Sequence, residues 1–104
     1  RNNDIIEHRG DRSPIGYYSK EVNFTNQNIK LQKGDSVYMF SDGFIDQLNG
    51  DNYKKYLTKR FKSLLLEINH LTLEKRKEKL LEEFHTWKGS FQQVDDVMIL
   101  CIKI

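Results

Sequence analysis

Apolar and polar positions alternate with two different periods along this chain. Ser36-Val37-Tyr38-Met39-Phe40 is a short, β-favouring apolar run after the turn signal Lys33-Gly34-Asp35, and it predicts a buried strand. Near the C-terminus, Val97-Met98-Ile99-Leu100-Cys101-Ile102 is almost continuously apolar, the pattern of a strand covered on both faces. Between these runs the period lengthens. Tyr53, Tyr56, Leu57, Phe61, Leu64, Leu65 and Ile68 fall on one side of a 3.6-residue helix, with Asp51 or Asn52 placed to cap its start. Leu73, Leu80, Leu81, Phe84 and Trp87 predict a second helix, with Thr72 as N-cap, Glu74 in the first turn and Gly89 just past the end. Lys79 and Glu83 are spaced to pair on its surface.

The first 41 residues read as β. Asp4-Ile5-Ile6-Glu7 predicts a short strand, and Val22 with Phe24, then Ile29 with Leu31, alternate as half-buried strands around the turn-forming Asn26-Gln27-Asn28. In the loop Arg12-Ser13-Pro14-Ile15-Gly16 the Pro and Gly serve as backbone punctuation. Strands, two helices and a last strand predict an α+β layer, the sheet mixed or antiparallel and both helices on one face.

Composition narrows the partners. The chain has 104 residues, 38% of them hydrophobic, enough for one modest core and so one folding unit. Seventeen basic against 15 acidic residues leave +2, no field that marks a nucleic-acid or membrane binder. Lys54, Lys55, Lys59 and Lys62 lie opposite the apolar stripe of the first helix and read as a solvated face. The aromatics sit in the apolar stripes and do not interleave with lysines as a stacking platform requires. Cys101 lies in an apolar run and has no partner for a disulfide within the chain, which fits a reducing, cytoplasmic compartment. No apolar stretch approaches the roughly 20 residues that span a bilayer, and Arg1-Asn2-Asn3-Asp4 does not begin a signal peptide. This segment is expected to be soluble, and its start without methionine predicts further chain upstream. His70 and His85 lack a Cys or His at ligand spacing, so zinc is not expected.

The chemistry that remains is carboxylate. Asp42 follows the first apolar run, and Asp95 and Asp96 precede the last, so adjacent strands would bring Asp42 and Asp95 together. Such oxygens suit a hard cation, and magnesium or manganese keeps enough water to need few protein carboxylates. Two such cations promote phosphoryl-ester hydrolysis by polarising the phosphate and lowering the pKa of a bridging water. Taken singly, Asp42-Gly43 is also a hairpin signal and Asp95-Asp96 a charged guard on a hydrophobic strand.

The chain resembles, nearly end to end, the phosphatase domain of the stage II sporulation protein E family, a bacterial branch of the metal-dependent type 2C protein phosphatases. The residues that carry the resemblance are Ser13-Pro14-Ile15-Gly16, the run from Lys33 through Ser41-Asp42-Gly43-Phe44-Ile45-Asp46-Gln47, then Trp87-Lys88-Gly89, and Gln93-Val94-Asp95-Asp96-Val97. It looks most like output domains of multidomain signalling proteins in the Bacteroidetes group, where sensor or helical repeat segments precede the phosphatase.

What the resemblance implies is a fragment of an α-β-β-α sandwich that hydrolyses phosphoserine and phosphothreonine through a metal-bound water. It implies Asp42 and Asp95 as ligands of a two-metal Mg2+ or Mn2+ site, with Gly43 letting the backbone approach the metal-bound waters. Asp96 would support the site from behind its ligands, and Asp46 matches a commonly acidic position nearby. It also implies phosphoprotein substrates, anti-sigma-factor antagonists among them, and a regulatory segment running from Asp42 into the first helix. The family's other metal-binding aspartate and a second Asp-Gly pair belong to an N-terminal half absent here, and Met98 stands where threonine is frequent. The 104 residues are therefore expected to be the C-terminal half of one domain, nearly inactive alone and prone to self-association through unpaired strand edges. The alternative is a non-catalytic regulatory or docking module that keeps the fold.

Overall fold

The computed structural model describes residues 1–10 and 23–104. Its elements run β1 (Ser36–Phe40), α1 (Thr58–Ile68), α2 (Leu73–Lys88) and β2 (Ile99–Lys103). The chain is thus α+β, and the two strands pair antiparallel from Ser36 opposite Lys103 to Phe40 opposite Ile99.

Pairing in this register sorts side chains to two faces. Ser36, Tyr38 and Phe40 share one face with Ile99 and Cys101, and there the helices lie: Phe40 stacks 4.6 Å from Phe61 of α1, while Tyr38 and Ile99 pack against the core. Phe44, Tyr56, Phe61, Leu64, Leu65, Ile68, Leu80 and Phe84 form that core. The other face carries Met39, Leu100 and Ile102, flanked by Met98 and Ile104, and all five are exposed. This corrects the expectation that the last strand is covered on both faces: among the described residues both helices lie on one side. A bare apolar sheet face of this kind leaves apolar area open to pairing with another surface. Dynamic light scattering of the isolated 104-residue chain is expected to give a mass above one copy; a single-copy mass contradicts that.

The first helix starts at Thr58, later than its apolar stripe predicts. The reason lies in Asn49-Gly50-Asp51-Asn52, whose side chains compete with helical hydrogen bonding. Asn49 Oδ1 accepts from the N–H groups of Asp51 and Asn52, at 2.8 and 3.2 Å, and Asn52 Oδ1 accepts from that of Lys54 at 3.0 Å. Asp51 and Asn52 thus build a turn and cap nothing. The chain doubles back instead, with Leu48 bridging Lys55, and both Tyr53 and Leu57 take left-handed backbone angles and stand exposed. No side chain caps α1.

The second helix matches its capping signals, while Leu73 and Leu81 of its predicted apolar stripe stand exposed. Thr72 Oγ1 accepts from Lys75 N–H at 3.3 Å, and Gly89, at φ 54°, closes the C-terminus with its N–H on His85 C=O. Glu83 does not pair with Lys79; it accepts from Tyr56 Oη at 3.1 Å, and Lys79 meets Glu82 at 3.7 Å. Burial, and then Glu83, push the Tyr56 hydroxyl pKa up.

Neither Asp4–Glu7 nor residues 23–31 form strands. Ile5 leans on the core, whereas Ile6, Phe24, Ile29 and Leu31 stay exposed. This arm is held by charge: the Arg1 guanidinium grips both oxygens of Asp35 at 3.1 and 2.9 Å, and Glu7 meets Lys62 at 2.7 Å. Arg1, with Gln32 N–H, holds the Asp35 carboxyl down to about 2. Val22 and the Arg12–Gly16 loop lie outside the described residues.

Arg76 is a charged residue inside α2 and only 3% exposed. Its guanidinium ties the α1–α2 turn to the sheet, donating to Asn69 and Leu71 carbonyls at 2.5 and 3.0 Å and to Ser36 Oγ and Tyr38 Oη at 2.8 and 3.1 Å. It also reaches Cys101 Sγ at 3.6 Å, and that thiol is free and half-buried. Burial is the main cause that raises Tyr38 to about 12, with Cys101 adding to it and Arg76 opposing. Arg76→Met is expected to cost about 2–4 kcal/mol, because it strands several buried acceptors. Arg76→Lys should recover little of this, since one ammonium lacks the planar fork that serves these acceptors together. Urea unfolding of both variants checks this.

Candidate active site

β1 ends beside the start of β2, and the chain that leaves β1 and the chain that enters β2 carry the carboxylates. One residue past Phe40, Ser41 N–H donates to Met98 C=O at 2.9 Å and extends the pairing by a step. Its hydroxyl accepts from Met98 N–H at 2.9 Å and donates to Asp96 C=O at 3.2 Å. Asp42 comes next, exposed at the rim.

Gly43 is buried because the chain around Asp96 lies on it. A Cβ at Gly43 would fall on the carbonyl oxygen of Asp96, 2.7 Å from its carbonyl carbon and 3.1 Å from Val97 Cγ2. The absence of a side chain thus lets the Asp42 strand end and the Asp95-Asp96 loop touch backbone to backbone. The chain then turns, Asp46 N–H on Asp42 C=O at 2.9 Å, and Phe44 enters the core.

Of the expected site residues, Gly43 and Asp96 meet through these contacts; Asp42 is the residue before Gly43, and Asp95 the one before Asp96, its Oδ1 accepting from Asp96 N–H at 2.7 Å. Asp46 is engaged elsewhere: its carboxylate lies 3.6 Å from Lys55 Nζ. His70, in the turn between the helices, and His85, on α2, are both exposed. Ser41 and Gln47 stand in the quoted motif but had no role assigned. Gln47 is fully buried, and a lone amide next to the apolar Phe44-Ile45 was the signal that could have singled it out.

Carboxylate oxygens at one end of a sheet suit a magnesium- or manganese-sized cation in kind. Among the described residues no group of three His, Cys, Asp or Glu side chains is placed to hold a metal ion. No helix of the described residues is long and apolar enough to cross a membrane.

The family profile described as Stage II sporulation protein E (SpoIIE) matches residues 1–104. Among solved structures, the SiaA-PP2C domain of Pseudomonas aeruginosa superposes with a TM-score of 0.74 at 26% identity, over 79% of this chain and 34% of that one. The chain therefore spans about a third of that domain's length. No curated protein sequence matches.

Proposed function

Since this chain belongs to the Stage II sporulation protein E (SpoIIE) family, we propose that it is the C-terminal half of a PP2C-like domain whose parent is a magnesium- or manganese-dependent serine/threonine protein phosphatase. The observation that carries the reading is the contact of Gly43 with Asp96, which brings the Asp42 end of β1 against the Asp95-Asp96 loop. Asp42 and Asp95 would hold the cations, and Asp96 would steady the loop that carries Asp95. When bound, two such ions polarise the phosphate and make a water acidic enough to attack phosphorus. No side chain of this chain acts as a covalent nucleophile. Two carboxylates set close together repel each other unless more ligands or a cation offset the charge, so these residues alone should bind magnesium weakly.

The bare sheet face of Met39, Leu100 and Ile102 supports the reading of an incomplete sandwich, since the remaining half of the domain would cover it. The parent is proposed to act in the cytoplasm as the output of upstream sensor or helical repeat segments, on a phosphoprotein such as an anti-sigma-factor antagonist. The test is phosphate release from phosphoserine, phosphothreonine and phosphotyrosine peptides by the parent, with Mn2+ and after chelation. Manganese-dependent release from the first two supports the proposal; release that survives chelation, or favours phosphotyrosine, overturns it.

A further inference from the structure

Residues 92–97, which carry Asp95, make no backbone–backbone hydrogen bond among the described residues, although β2 begins only two residues later. Within the segment Gln93 Nε2 donates to Asp95 C=O at 2.8 Å, and two side chains from outside it hold the segment in place. Gln47 donates through Nε2 to Gln92 C=O at 2.9 Å and accepts through Oε1 from Val94 N–H at 3.3 Å. Ser41 donates to Asp96 C=O and accepts from Met98 N–H. Each side chain thus takes the carbonyl of one residue and the N–H of the residue two further on, as a neighbouring strand would. The two clamps fall on either side of Asp95, and both arise from the segment that contains Asp42.

Gln47 is a rigid post. Its carbonyl accepts from Trp87 Nε1–H at 2.8 Å and from Tyr56 N–H at 3.1 Å, which ties it to the last turn of α2 and to the core. Its second amide hydrogen meets Leu48 C=O at 3.2 Å, so no polar atom of the side chain is spare. The clamped residues Gln92 to Asp96 are exposed. Water can therefore satisfy their backbone groups if a clamp is lost, and what is lost is chiefly position.

We propose that Ser41 and Gln47 are positioning residues that bracket Asp95, hold it beside Asp42 and so set the affinity of the site for a divalent cation. The inference rests on the metal-site reading above. Residues that orient metal ligands from behind typically change affinity by roughly 10–100-fold when removed.

The test measures Mn2+ binding to the full parent chain by calorimetry and by the Mn2+ paramagnetic resonance signal, with thermal unfolding alongside. The variants are Gln47→Met, Ser41→Ala, Ser41→Thr and Asp95→Asn. Expected is a dissociation constant raised at least roughly tenfold in Gln47→Met and Ser41→Ala while both remain folded, with Ser41→Thr, which keeps the hydroxyl, near wild type. If Gln47→Met does not fold, the Ser41→Ala and Ser41→Thr pair decides. Should Asp95→Asn abolish binding while Gln47→Met and Ser41→Ala bind as wild type does, the bracket is overturned and the metal site stands. Should the folded wild type bind no Mn2+, both fall.

Discussion

Gly43→Ala is expected to lower the phosphatase turnover of the parent roughly 100-fold, because misplacement of reacting groups by about 1 Å has that effect. The added methyl meets backbone, the carbonyl of Asp96, which cannot swing aside as a flexible side chain would. Either the end of β1 or the Asp95 loop must move, and Asp42 or Asp95 moves with it. Backbone angle is not the cause, since the positive-φ glycines are Gly34 and Gly89. Overpacking of this kind also costs about 1–3 kcal/mol of stability. Steady-state kinetics at saturating Mn2+, read beside thermal unfolding, separate the two effects; wild-type turnover would show that the loop accommodates the methyl.

Phe44→Ala is expected to cost about 3–5 kcal/mol, the range for emptying a buried aromatic site. Phe44 is 2% exposed, and its ring lies 5.1 Å from Tyr56, 5.2 Å from Phe61 and 5.3 Å from Phe84. It therefore joins the entry to α1, α1 itself and α2 at one point, and it does so two residues after Asp42. Phe44→Leu should keep much of this, since a branched aliphatic fills part of the volume. Urea midpoints of the two variants, with the slope of the transition unchanged, give the comparison. An alanine variant as stable as wild type would mean that the aromatic cluster is not the core's anchor.

Signals that act over a few residues are legible in the sequence. Thr72 and Gly89 bound α2 as expected, because capping depends on neighbours within a few residues. The strand Ser36–Phe40 was legible from its apolar run, and Asp42-Gly43 and Asp95-Asp96 from their places beside the strands. The start of α1 departs from the sequence pattern because the periodic stripe runs through Tyr53 and Leu57, whereas the Asn49 and Asn52 side chains decide the backbone there. β2 departs from the doubly covered pattern because a continuous apolar run reports what a strand is suited to face, and the described residues cover one side only. Arg76 and Gln47 carry no such mark, since the partners that tie them across the fold, Ser36, Tyr38 and Cys101 for the one and Gln92 and Val94 for the other, lie 25 to 47 positions away along the chain. Long-range polar pairing leaves no periodic trace.

The most direct test of the account is manganese-dependent hydrolysis of a small aryl phosphate by a chain extended upstream to the complete domain, beside its Asp42→Asn and Asp95→Asn variants. The account predicts metal-dependent turnover that each substitution abolishes while the fold persists. Turnover that survives both substitutions, or its absence from a folded wild-type domain, would contradict it.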